Sequence, residues 1–239
     1  MLLSTPGIVL HTVPYSESSV VVKVFTRQLG MRSYIIKGVR GNRGRVKLNM
    51  LQPLSCLDMV VYDNHKSTLN HVKEISLRYS SPLTPHSSLL TENALRFFMT
   101  EVLYKALREE EPLPDLFDYV EYINSQLSTF NHQLSFLPIT FLLNVARYLG
   151  ISPLDNYSVS APLFDLQEGR YISTVTESTL SPHLSEMLHC YMVDTSLQIP
   201  LFALSERRSL IDALLAYFQL HLNGFHNFTS HEILHAILK

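Results

Sequence analysis

Residues 19–38 read S-V-V-V-K-V-F-T-R-Q-L-G-M-R-S-Y-I-I-K-G. Val20, Val22 and Val24 alternate with Val21, Lys23 and Phe25, the period of two that sends alternate side chains to opposite faces of a strand. A turn at Gln28-Leu29-Gly30 closes this run, and a second strand is predicted over 32–38. Residues 7–13 form a short apolar strand before it. Beyond it, Leu51-Gln52-Pro53 leads into a strand over 54–62, and a turn at Asp63-Asn64-His65 leads into a last one over 67–77. Five short strands with turn signals and a charged loop in the middle fit a small closed barrel of the OB type. An SH3-like barrel has a similar strand count.

Between residues 80 and 88 the chain reads S-S-P-L-T-P-H-S-S, and prolines among serines mark a domain boundary. The period then becomes helical. Helices are predicted over 88–108 (Leu95, Phe98 and Val102 on one face), 114–128 and 134–149. The third is apolar almost all round, as a central buried helix would be. Gly150 and Pro153 stop it. Residues 154–175 alternate again and predict a small hairpin. Helices resume over 179–192 and 205–222, and a last one begins after Thr229, where Glu232 completes the spacing of a capping box. The expected class is α+β: an OB-fold domain over 1–80, then a helical domain over 81–239 with the hairpin set into it.

Residues 37–47 read K-G-V-R-G-N-R-G-R-V-K, with five cations, three glycines and no acid. Like charges this close repel, so a polyanion that neutralises them is the natural partner. Glycine lets the backbone follow an uneven surface and present its amides to phosphate. The plain alternative is a solvated surface loop. Charge is also unevenly spread: residues 1–80 carry 11 Lys+Arg against 4 Asp+Glu, whereas 81–239 carry 8 against 17, which together give the net −2. A basic head on an acidic body places any polyanion at the front. The candidate phosphate contacts are Lys23, Arg27, Arg32, Lys37, Arg40, Arg43, Arg45 and Lys47. Phe25 and Tyr34 would either stack on bases or fill the barrel core, and core is the commoner fate. An acidic protein partner would use the same cations.

At 239 residues and 46% hydrophobic content the chain can bury a sizeable core. Two cysteines, Cys56 and Cys190, are too few for a disulfide framework. With no signal-peptide pattern at the start and no apolar run approaching the ~18 residues of a membrane span, a cytoplasmic protein is expected.

Other motifs lead less far. The glycine spacing G-x-x-G-x-x-G matches neither a P-loop nor a dinucleotide fingerprint. It contains the bare G-x-x-G of KH modules, but follows a strand where that loop joins two helices. His231-Glu232-Ile233-Leu234-His235 is a literal H-E-x-x-H, the pattern in which two histidines hold zinc and the glutamate is the base. A third ligand would have to come from upstream, where His221, His226 and Glu206 are candidates. His189 beside Cys190 has no second ligand pair at metal spacing, and no nucleophile elbow occurs. The expectation is a protein that is not an enzyme and needs no cofactor. A zinc peptidase through His231, Glu232 and His235, or a general OB-fold RNA binder, are the competing readings.

Several short stretches fall in a familiar order: Ile8-Val9-Leu10, Tyr15-Ser16-Glu17-Ser18, Phe25-Thr26 with Gly30, Lys37-Gly38-Val39-Arg40, Leu51-Gln52-Pro53, Leu149-Gly150-Ile151-Ser152-Pro153 and Ser230-His231-Glu232. In that order and spacing the chain resembles the RecO family of bacterial recombination mediators over nearly its whole length. The resemblance implies an N-terminal OB domain, a helical body and a DNA-repair role without catalysis. It also implies binding of single-stranded and duplex DNA, and annealing of strands coated by single-strand-binding protein. RecR would be a partner, and RecA would be loaded indirectly. Two departures matter. Many relatives carry a four-cysteine zinc module after the L-G-x-x-P stretch, where this chain has Asp155-Asn156-Tyr157-Ser158 and no cysteine; no zinc is therefore expected, and a hairpin held by its own apolar contacts. Where some relatives have an arginine that opens the preceding helix, in the region that receives the tail of single-strand-binding protein, this chain has Ser135-Phe136-Leu137-Pro138, so the resemblance leaves room for a partner site in the helical body but does not carry over its residues. At 231 the family's arginine is replaced by histidine.

Overall fold

The strand alternation at the front of the chain closes into a ring. In the computed structural model, which describes residues 2–39, 48–64, 67–78, 88–107, 111–127, 133–193 and 202–237, β1 (Leu2–Pro14), β2 (Val20–Thr26) and β3 (Gly30–Ile36) form an antiparallel meander. β4 (Cys56–Tyr62) returns antiparallel to the first half of β1, and β5 (Asn70–Leu77) lies between β4 and β3. β5 meets β3 in parallel at Tyr34↔Asn70 and Ile35↔His71. The closed order β1-β2-β3-β5-β4 is an OB-fold barrel. β1 begins earlier than the sequence pattern indicates because its first half pairs with β4 and its second half with β2. One long strand thus serves both sides of the closure.

The interior takes Val20, Val22 and Val24 from β2, Tyr34 and Ile36 from β3, and Leu57, Met59 and Val61 from β4. Each such side chain removed from water stabilises the fold by about 1.5–3 kcal/mol. β1 contributes Val9 and then changes parity, since the register skips a residue between Val9 and His11. Val9 pairs with inward-facing Val24, but beyond the bulge His11 pairs with Lys23 and Val13 with Val21, both on the outer face. A bulge re-aims every side chain after it.

The chain divides into two compact units, residues 1–129 and 130–239. The first therefore joins α1 (Ser88–Ala106) and α2 (Pro114–Gln126) to the barrel. The proline-serine stretch that suggested a boundary lies largely outside the described residues. α2 sets Phe117 against Phe25 on the outer face of β2, with ring centroids 5.5 Å apart. Gly30 has φ +66°, and a Cβ there would lie 2.4 Å from the carbonyl oxygen of Glu111. Only glycine allows both that conformation and that approach.

The second unit is built on α3 (Leu137–Tyr148), which buries Ile139, Phe141, Leu142 and Val145. Gly150, at φ +73°, ends it: its amide donates to the Arg147 carbonyl and the Ile151 amide to that of Ala146, a Schellman stop. The expected hairpin is present as β6 (Leu163–Asp165) and β7 (Arg170–Ile172), followed by α4 (Pro182–Val193), α5 (Leu204–His221) and α6 (Ser230–Ile237).

Candidate nucleic-acid interface

Residues on either side of positions 40–47 are tied to the barrel. Before them, the Val39 amide donates to the Ser18 carbonyl at 2.9 Å, and the Val39 side chain is buried in the barrel. After them, the Thr12 hydroxyl donates to the Leu51 carbonyl at 3.0 Å, and Leu51 is buried too. Leu54 then adopts a left-handed φ of 60°, which is costly for a residue with a branched side chain. Two contacts hold it there. Its amide donates to the Val9 carbonyl at 2.8 Å, and its own carbonyl accepts Asn124 Nδ2 of α2 at 2.8 Å. Arg96 of α1 donates to the Asn124 side-chain oxygen. Val39 and Leu51, on either side of residues 40–47, are thus both fixed to β1 or the turn that follows it.

The sequence-predicted cations fare differently. Lys37 is exposed at the end of β3. Arg40, Arg43, Arg45 and Lys47 lie outside the described residues. Arg27 is engaged within the first unit: its Nε and Nη2 donate to the two carboxylate oxygens of Asp118 at 2.7 and 2.8 Å. That bond holds the Asp118 carboxyl below its ordinary range, against the upward pull of burial. Arg32 is only 6% exposed and pairs with Val24, so it shares the inward face with Tyr34 and Ile36. Phe25 and Tyr34 are both core residues, at 0% and 1% exposure. Burial drives the Tyr34 phenol well up, Arg32 opposing and Asp63 adding to the shift.

The helices also change the charge balance. Residues 81–129 bring three cations and eight anions, so the first unit holds 14 cations and 12 anions. Two of those anions meet barrel arginines: Asp118 meets Arg27, and Glu121 meets Arg78 at 3.2 Å, with Asp58 at 3.5 Å from the same arginine. α2 therefore answers the charge of Arg27 and Arg78 on one flank of the barrel.

The outer face of β1 holds a group the sequence did not single out. His11 lies 5.0 Å from the Tyr104 ring of α1, and Lys23 Nζ stands 5.4 Å from the same ring. Val13 and Tyr15 continue the row, 39% and 61% exposed. The bulge that aims them outward leaves no trace in the residue pattern.

A family profile described as "Recombination protein O N terminal" matches residues 1–80. Proteins named DNA repair protein RecO are similar over the rest of the length as well. That of Flavobacterium johnsoniae is 29% identical over 243 residues, covering 99% of both chains. That of Phocaeicola vulgatus is 29% identical over 229 residues and 94% of both. That of Christiangramia forsetii is 29% identical over 243 residues and 99% of both. The chain is thus similar to RecO proteins over nearly its whole length.

The region that follows the Leu149-Gly150-Ile151-Ser152-Pro153 stretch is organised without cysteine. Asp165, 1% exposed, accepts the Gln167 and Glu168 amides on one oxygen, at 2.9 and 2.8 Å. Its other oxygen accepts the Thr176 and Ser178 hydroxyls at 2.5 and 2.8 Å. Burial alone would raise its pKa, but these four bonds outweigh it and the net displacement is downward. Asn156 exchanges two bonds with the backbone of Tyr171, whose hydroxyl donates to the Ser185 carbonyl at 3.1 Å. Tyr157 stacks on His189 at 4.4 Å, and the Tyr217 hydroxyl donates to the Ile151 carbonyl at 2.8 Å. The hairpin is held by polar bonds as much as by the apolar contacts expected for it.

The H-E-x-x-H segment lies on α6. His231 and His235 meet edge to face at 5.6 Å, Phe228 lies against His231, and Glu232 is exposed. Burial lowers the His235 pKa, with His231 and Arg208 adding to the effect and Asp212 opposing it. Among the described residues, no group of three His, Cys, Asp or Glu could hold a metal ion. Nor is any described helix long and apolar enough to cross a membrane.

Proposed function

We propose that this protein is a non-enzymatic DNA-binding mediator of recombinational repair, which anneals complementary single strands. In this reading it also helps load recombinase onto DNA coated by single-strand-binding protein. The observation that carries the reading is the run of five cations over residues 37–47, flanked by Val39 and Leu51 hydrogen-bonded to the β1 region, in a chain whose near full-length relatives are named DNA repair protein RecO. Lys37, Arg40, Arg43, Arg45 and Lys47 supply the phosphate contacts, with Lys23 beside them. Arg27 and Arg32 are spent within the fold.

The chemistry is electrostatic. Two complementary strands repel through their phosphates, and a cation-rich surface that holds both lowers that barrier without making or breaking a covalent bond. Binding of this kind releases condensed counterions, so it is indifferent to sequence and weakens steeply with salt. The partners are single-stranded and duplex DNA, RecR and single-strand-binding protein, with RecA engaged indirectly, in the cytoplasm. The test is annealing of two complementary strands already coated with single-strand-binding protein. Faster pairing with the protein present supports the reading, and an unchanged rate refutes it.

A further inference from the structure

The outward row on β1 asks for an occupant that the phosphate contacts do not supply. We propose that His11, Val13 and Tyr15 form a stacking platform for the bases of single-stranded nucleic acid. This rests on the reading that the cationic stretch binds the nucleic-acid backbone, and it extends that reading to the bases.

Four observations carry it. First, the row exists because the register skips between Val9 and His11; without the bulge, His11 and Val13 would face the barrel interior. Bulges of this kind recur where a side chain is re-aimed for function. Second, the row is open to solvent. Val13 stands about 6.7 Å from His11 along the same strand face, Tyr15 follows just past the end of β1, and these last two are 39% and 61% exposed. Third, it is held in place. Tyr104 lies behind the His11 ring at 5.0 Å, and the Tyr15 amide donates to the Ser19 carbonyl at 3.0 Å, which fixes the turn carrying the tyrosine. Fourth, it runs toward the cations. Lys23 pairs with His11 across the sheet, and the turn that ends the row holds Val39 through Ser18, two residues beyond exposed Lys37. Aromatic faces beside a cationic groove bind single strands without regard to sequence, because every base has a π-face. In a duplex those faces are already covered by neighbouring bases, so the platform selects single strands.

The experiment compares the full chain binding a labelled thymidine oligomer and an abasic oligomer of the same length, at one salt concentration. The thymidine strand is expected to bind about fivefold tighter or more. In the double variant His11→Ala/Tyr15→Ala, that ratio should fall to near one while abasic binding stays unchanged. His11→Phe/Tyr15→Phe should keep the preference, and thermal melts of both variants show that the barrel is intact. Equal binding of the two oligomers by the native chain overturns the platform and leaves the phosphate reading standing. So does a ratio that survives in the double alanine variant. Binding of neither oligomer overturns the phosphate reading and the platform with it.

Discussion

Arg27 and Asp118 meet fork to fork, Nε to Oδ1 at 2.7 Å and Nη2 to Oδ2 at 2.8 Å, and so tie the β2–β3 turn to α2. A cation that the sequence offers to phosphate is thereby answered within the fold. Asp118→Asn should release it, giving tighter binding of a single-stranded oligomer and a salt slope up to about one unit steeper. Titration at four salt concentrations reads both. The loss of stability should be small, because the two side chains remain 41% and 50% exposed and solvent screens the pair. The Arg27 bond lowers the folded pKa of Asp118. Its contribution is therefore present above the unfolded carboxylate value of about 3.9 and lost as pH falls through the lower folded value.

Gly30 sits at φ +66° with the Glu111 backbone pressed against it. Gly30→Ala adds a Cβ where neither the backbone angle nor the neighbour permits one. Urea unfolding should show a loss of more than about 1 kcal/mol. A neutral or stabilising result would mean that the segment before α2 does not pack on the β2–β3 turn.

Asp165 gathers four donors at the hairpin. Asp165→Asn keeps an oxygen for the two amides but forces the Thr176 and Ser178 hydroxyls to turn and accept, and the loss of the charge that strengthened all four bonds should cost about 1–3 kcal/mol. The native carboxyl has a depressed pKa, so its stabilisation holds above about pH 3.9 and fades as pH falls further. The variant should lose that part of the acid dependence. Thermal melts between pH 7 and pH 3 compare the two chains.

Arg32 shares the inward face of β3 with Tyr34 and Ile36. Arg32→Met should leave the salt slope of DNA binding unchanged, unlike a substitution at Lys37. A slope that flattens with Arg32→Met would place this arginine on the binding surface after all, and salt titration of the two variants side by side decides it.

The barrel was legible because Val20, Val22 and Val24 alternate cleanly and glycine marks the turn at position 30. The same alternation, carried back from Ile36 through Tyr34, points Arg32 inward; its charge alone argued the other way. The loss of Arg27 to Asp118 could not be read, since no local pattern reveals which helix covers which strand. Nor could the row from His11 to Tyr15, because one extra residue in β1 inverts the parity on which strand reading depends. In the second unit the hairpin's position was legible, but its polar fastening was not: Asp165, Thr176 and Ser178 look like ordinary loop residues until the turn brings them together.

The most direct test of the central claim is the slope of log affinity against log salt for single-stranded DNA, native chain against Arg40→Glu/Arg43→Glu. If residues 37–47 carry the phosphate contacts, the variant binds more weakly and its slope is flatter by about 1.4 units, roughly 0.7 for each cation removed on a single strand. An unchanged slope would contradict the claim and move nucleic acid to another face of the protein.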